Sequence, residues 1–190
     1  MGGFKPKRMI RLHGNHEYRL TKFIEKNPVL EGLIGFHMLD NAGWEIVPYV
    51  GEHPGVILVD GVWYAHYFAQ PNTGNAVTGT IATRIARVGG SFVQGHQQGL
   101  MRGDVPLATG RTYRGVVAGS CYLHDEGYKG VANAHFRGVV VLNDVKDGHF
   151  LEMPLDMDYL CRNATGTTVA RWLQRNRRQA KERFSLARAA

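Results

Sequence analysis

The chain has 190 residues, 44% of them hydrophobic, and a formal net charge of +7, which suits one well-packed domain and leaves little for a second. No stretch approaches the ~20 consecutive apolar residues that a bilayer crossing requires, and the charged start is not followed by an apolar segment of signal-peptide type, so a cytoplasmic protein without a membrane partner is expected. Cys121 and Cys161 are far apart and outside any Cys-x-x-Cys spacing, which argues against both a disulfide framework and a thiolate zinc site.

In chain order, residues 9–13 read as a strand that runs into Gly14-Asn15-His16-Glu17. Residues 21–34 have a helical mix that Pro28 breaks or restarts, and residues 44–49 read as a short strand. The apolar runs 56–59 and 62–65 flank Asp60-Gly61, a pair that supplies the positive φ angles of a hairpin turn. A turn-rich loop, 70–75, follows. Residues 81–88 are expected to form a short helix that Gly89-Gly90 ends. Residues 91–94 and 116–119 read as buried strands, and 136–145 with 149–155 as a second hairpin across Asp147-Gly148. Val169, Trp172, Leu173, Ala180 and Phe184 are spaced for a C-terminal helix with a basic outer face. Many strands, few helices and loops at strand ends predict a layered α/β or α+β sandwich, with a body at 1–168 and a basic helix or tail at 169–190.

The positive charge gathers at the two ends. Residues 1–22 carry a net +5 and residues 170–190 a net +6, leaving −4 for the middle. Basic ends of this kind can dock on nucleic acid, although solvated tails are the commoner case.

Three strand ends carry side chains able to bind a metal: Asn15 after the first strand, His66 after Val62-Trp63-Tyr64-Ala65, and His96 after Ser91-Phe92-Val93-Gln94-Gly95. Taken singly, a histidine at a strand end is more often structural. Together and in order, the three point to a metal site. Phosphate-ester hydrolysis needs an activated water and neutralised phosphoryl oxygens, which metal ions supply, and imidazole with amide oxygen suits several divalent ions. His16, beside Asn15, is placed to protonate a leaving alkoxide. Gly14 and Gly95 are expected to let the backbone turn sharply and a phosphate approach.

On Gly14-Asn15-His16-Glu17, His66 and Gly95-His96, the chain resembles the calcineurin-like metallophosphoesterases, especially their compact bacteriophage type. The motifs span roughly residues 8–125, and the segment from Ala118 to Glu126 with the hairpin after it also resembles the phage branch. The resemblance implies a sandwich of mixed sheets flanked by helices that hydrolyses phosphomonoesters or phosphodiesters, a nuclease-like activity on nucleic acid included. It implies Asn15, His66 and His96 as ligands of one of two divalent ions, with Mn²⁺ foremost and Zn²⁺, Fe²⁺ or Ni²⁺ as substitutes. It assigns His16 to the leaving group.

Two departures from the family pattern stand out. Gln98 occupies the position of the family's second histidine, which binds the other metal. The Asp-x-His and Gly-Asp-x-x-Asp motifs, with the bridging carboxylate and the first strands of the sheet, would lie upstream of Met1, so a separate chain completing the site is an expected partner. The alternative is an inactive or split-enzyme fragment that binds nucleic acid or a partner protein through its basic termini.

Other signals have ordinary readings. Cys121, near His124 and Asp125, is either a thiol nucleophile or, the favoured reading, a buried structural cysteine. Arg19 either reaches a substrate phosphate or pairs with Glu17 or Glu25, and the pair is favoured. Arg102-Gly103-Asp104 matches an adhesion tripeptide by coincidence. His13, His37, His53, His135 and His149 have no supporting context.

Overall fold

Two Asp-Gly pairs set the turns on which the strands fold back. Asp60 and Gly61 have φ of 50° and 78°, and Asp147 and Gly148 have 48° and 83°, the left-handed geometry that a two-residue hairpin turn needs. The computed structural model describes residues 6–38, 43–123, 125, 127, 131 and 134–177. Its elements in chain order are β1 (Ile10–Leu12), α1 (Asn15–Lys26), β2 (Glu45–Val47), β3 (Tyr49–Val50), β4 (His53–Pro54), β5 (Val56–Val59) and β6 (Val62–Ala65). They continue with α2 (Ile81–Val88), β7 (Phe92–Gln94), β8 (Leu100–Pro106), β9 (Thr112–Ala118), β10 (Gly138–Lys146), β11 (His149–Asp156) and α3 (Met157–Thr165). Residues 169–177 are also helical. The fold is mixed α+β with several sheets, in keeping with the sequence reading.

The main sheet has the order β5-β6-β7-β9-β8, in which β6, β7 and β9 are mutually parallel and the edge strands β5 and β8 run antiparallel to their neighbours. Because successive strand residues face opposite sides, the sheet buries two sets of side chains. Ala65, Phe92 and Val117 pack with Ile81 and Ile85 of α2 on one face. Val62 and Val116 pack with Phe150 of β11 on the other, backed by Val140 and Leu142. Each such side chain contributes about 1.5–3 kcal/mol when fully buried, and together they fix a helix–sheet–hairpin layering. The turns of the two hairpins touch: the Gly148 N–H donates to the Asp60 carbonyl at 2.9 Å. β1 and β2 form a separate parallel pair, lengthened by the His13 N–H donating to the Val47 carbonyl at 3.0 Å.

The helix α2 has its expected bounds, since Thr80 accepts from the Thr83 N–H and Gly89 closes the helix at φ 77°. Elsewhere the structure corrects the sequence reading. α1 begins at Asn15 and not near Thr21. Gly14 has no side chain to cap with, and the helix start is marked instead by Glu17, whose carboxylate accepts from the Gly14 N–H at 2.9 Å. Neither β8 nor α3 was expected. β8 contains Gly103, Asp104 and Pro106, poor strand formers, and is held by pairing along its length with β9. α3 is capped by Asp156, which accepts from the Tyr159 N–H at 2.6 Å. Cys121 is exposed, so the buried structural role is withdrawn. His124, Glu126, Ala180 and Phe184 lie outside the described residues. Among the described residues no helix is long and apolar enough to cross a membrane.

Candidate metal centre

The three parallel strands bring their carboxyl ends to one edge of the sheet. Ala65 and Gln94 are register partners, as are Gln94 and Val117, so the residues that follow them, His66, Gly95-His96 and Gly119-Ser120, emerge side by side. Ligand sites in sheets with parallel strands favour this edge. The N-terminus of α1 meets it, and the result is an open cleft of about 770 Å³ lined by Asn15, His16, Glu17, Arg19, His66, His96, Gln97, Gln98, Gly99, Met101, Gly119, Ser120 and Tyr122.

Within the cleft Asn15, His66 and His96 converge. His66 Nε2 lies 2.9 Å from Asn15 Oδ1 and 3.1 Å from His96 Nδ1. These spacings also test whether a cation fits. Bonds of about 2.1 Å at right angles place adjacent donors about 3.0 Å apart, whereas a tetrahedral ion spreads them to about 3.4 Å. The two observed edges are also ordinary hydrogen-bond distances, so the three side chains stand close enough to share one ion of either geometry. Among the described residues no three His, Cys, Asp or Glu side chains gather as a metal-binding group; this trio consists of two imidazoles and one amide.

The electrostatics leave both imidazoles in the form a cation needs. Burial, then the neighbouring His96, pushes His66 down to about 4, and burial with His16 nearby lowers His96. Both rings are therefore neutral at neutral pH, with a lone pair to offer. Gly14 is what lets His66 stand there. A methyl at this position would lie 2.8 Å from Cε1 and 2.9 Å from Nδ1 of the His66 ring. This corrects the expected role of the two glycines as sharp turns, for Gly14 has an extended φ of −103°. At Gly95 an added methyl would meet His66 Nδ1 at an ordinary 3.7 Å. The unusual backbone in that loop belongs to His96, at φ 62°.

His16 is exposed and faces the cleft one residue beyond Asn15. Glu17 lines it too, but its carboxylate is turned back to the Gly14 N–H and to Arg11 at 3.3 Å. Burial raises the Glu17 pKa, while hydrogen bonds from the backbone N–H groups of Glu17 and Gly14 and from Arg11 outweigh it and hold the group ionised below its ordinary range. Arg19 differs from the favoured sequence reading. Glu17 pairs with Arg11 and Glu25 with Lys22, so Arg19 is left exposed at the cleft without an ion-pair partner among the described residues. Gln98 also lines the cleft, its Oε1 buried and without a hydrogen-bond partner among the described residues.

Sequence reasoning weighed Arg19 for this cleft but favoured an ion pair, and it gave Gln97, Ser120 and Tyr122 no site role, because no local pattern marks them and the topology alone brings them to this edge. His13 is a core residue, 5% exposed and packed on Phe36 with ring centroids 4.6 Å apart. Comparison with protein-family models, with curated proteins and with solved structures gives no match.

Proposed function

We propose that the chain is a metal-dependent phosphoesterase domain of the calcineurin-like kind, with a divalent cation held by Asn15 Oδ1, His66 Nε2 and His96 Nδ1. The convergence on His66 Nε2 of Asn15 Oδ1 and His96 Nδ1, from 51 and 30 residues away in sequence and within 2.9 and 3.1 Å, carries this reading. The mixed amide and imidazole set suits Mn²⁺, with Zn²⁺, Fe²⁺ or Ni²⁺ as substitutes. When bound, such an ion supplies Lewis acidity toward a phosphoryl oxygen and acidifies water.

The chain's own residues do the rest. Arg19 brings a positive charge to the cleft and binds phosphoryl oxygens through its guanidinium. His16, on the first turn of α1, carries on a ring nitrogen the proton that the departing alkoxide takes up. The three proposed ligands are all neutral, so the cation keeps its full charge, and a carboxylate-bearing partner chain would tighten it.

The test is hydrolysis of a chromogenic phosphate ester with and without added Mn²⁺, alongside calorimetric titration of the ion. Activity and binding are expected in the wild type and are abolished by His66→Ala or His96→Ala. A chain that binds no divalent ion and is inactive with all of them, yet binds DNA with a steep salt dependence, is instead a binding module acting through its basic termini.

A further inference from the structure

Arg84, in the middle of α2, is 2% exposed and among the largest fully buried side chains. Among the described residues no carboxylate pairs with it. Its Nε donates to the Gly79 carbonyl at 3.0 Å and its Nη2 to Gln97 Oε1 at 2.7 Å, while Nη1 has no partner. A buried guanidinium without a counter-charge is costly, and α2 already packs through Ile81 and Ile85. Stability alone therefore does not account for a charge at this position.

The partner it grips explains it better. Gln97 directly follows His96, and its backbone N–H donates to the Gly95 carbonyl at 2.7 Å. With φ of 62° at His96, this is a γ-turn centred on a non-glycine residue, a strained conformation that costs about 1–3 kcal/mol and persists only where surrounding structure enforces it. His96 as a whole is exposed, with its ring against His66 and Tyr67 at centroid distances of 5.0 and 5.1 Å, and these ring contacts hold the side chain more than the backbone of the turn. The short, charge-assisted bond from Arg84 to the Gln97 side chain ties the exit of the turn to the core helix.

We propose that Arg84 is a positioning residue for the cation site: by anchoring Gln97 it holds His96 in the strained turn that aims Nδ1 at His66. The proposal rests on the reading of Asn15, His66 and His96 as cation ligands, and it assigns the reason for an uncompensated buried charge. The bond to Gly79 is a local helix contact that a purely structural arginine would also make. The bond to Gln97 is the one that reaches the site.

The experiment uses Arg84→Met, which keeps much of the volume and removes the buried charge. Its melting temperature is expected to equal or exceed that of the wild type, while Mn²⁺ affinity by calorimetry falls about 10- to 100-fold, the usual effect of losing a group that orients a ligand. Gln97→Ala should show the same fall, Gln97→Glu, which keeps the acceptor, should restore affinity, and the double variant should lose no more than either single one, because both act through one bond. In the metal-free protein the nuclear Overhauser contact between the His66 and His96 rings should weaken in Arg84→Met. Wild-type affinity and an unchanged ring contact in Arg84→Met overturn the proposal, as do losses that simply add in the double variant. If Arg84→Met does not fold, the Gln97 variants decide, and wild-type affinity in Gln97→Ala overturns it. A wild type that binds no Mn²⁺ sinks the cation reading, and the ring contact then decides the positioning claim separately.

Discussion

Replacing Gly14 by alanine adds one methyl group at the point where the strand, the helix and His66 meet. That carbon would sit 2.8, 2.9 and 3.0 Å from Cε1, Nδ1 and Nε2 of the imidazole. Non-bonded carbons settle at about 3.5–4.0 Å, so the ring must retreat by roughly 0.7–1.2 Å. Metal–ligand distances tolerate only about 0.2 Å. A shift several times that margin breaks the arrangement in which Nε2 lies 2.9 Å from Asn15 Oδ1 and 3.1 Å from His96 Nδ1. The expected result is at least a 10- to 100-fold loss of Mn²⁺ affinity, with a parallel loss of metal-dependent turnover. Stability should fall by about 1–3 kcal/mol from overpacking and no further, since the Gly14 backbone at φ −103° and ψ −177° suits any residue. Calorimetric titration measures the first effect and thermal melting the second. Gly95→Ala is the internal control, because its methyl meets His66 Nδ1 at an ordinary 3.7 Å, and it should bind as the wild type does. Wild-type affinity in Gly14→Ala, or an equal loss in both variants, refutes the reasoning.

Two further outcomes are expected. Arg19→Ala should raise KM for a phosphate ester about 10-fold or more, as loss of a hydrogen bond to a charged group implies, with a smaller change in kcat and none in Mn²⁺ affinity; steady-state kinetics that leave KM untouched would remove Arg19 from substrate binding. In the metal-free protein, the His66 ring should titrate at about 4, well below a free histidine, because burial and then His96 disfavour its charged form. The unfolded chain takes up that proton near 6.5, so His66 contributes stability above about pH 6.5 that is progressively lost as pH falls toward 4. Ring-proton NMR and melting curves across that range check both statements, and a His66 titration near 6.5 would contradict the burial described here.

What the sequence determined by itself was the local geometry. Asp60-Gly61 and Asp147-Gly148 fixed both hairpin turns because their positive φ is a property of the residues concerned. Thr80 and Gly89 fixed the ends of α2 for the same kind of reason. The order of Asn15, His66 and His96, each after an apolar run, was also enough to nominate them together. The tertiary structure decided everything that depends on neighbours remote in the chain. β8 exists because β9 offers it a continuous ladder, although its own residues are weak strand formers. Arg19 faces the cleft because Arg11 and Lys22 occupy the carboxylates it was expected to pair with. The need for glycine at position 14 comes from an imidazole 52 positions away and not from its backbone angles, and the buried Arg84 is linked to the site through Gln97, across a helix and a strand. Turn angles and caps involve only a few adjacent atoms, so sequence displays them directly. Close packing and charge pairing are set by which surfaces the chain brings together, and folding alone establishes that.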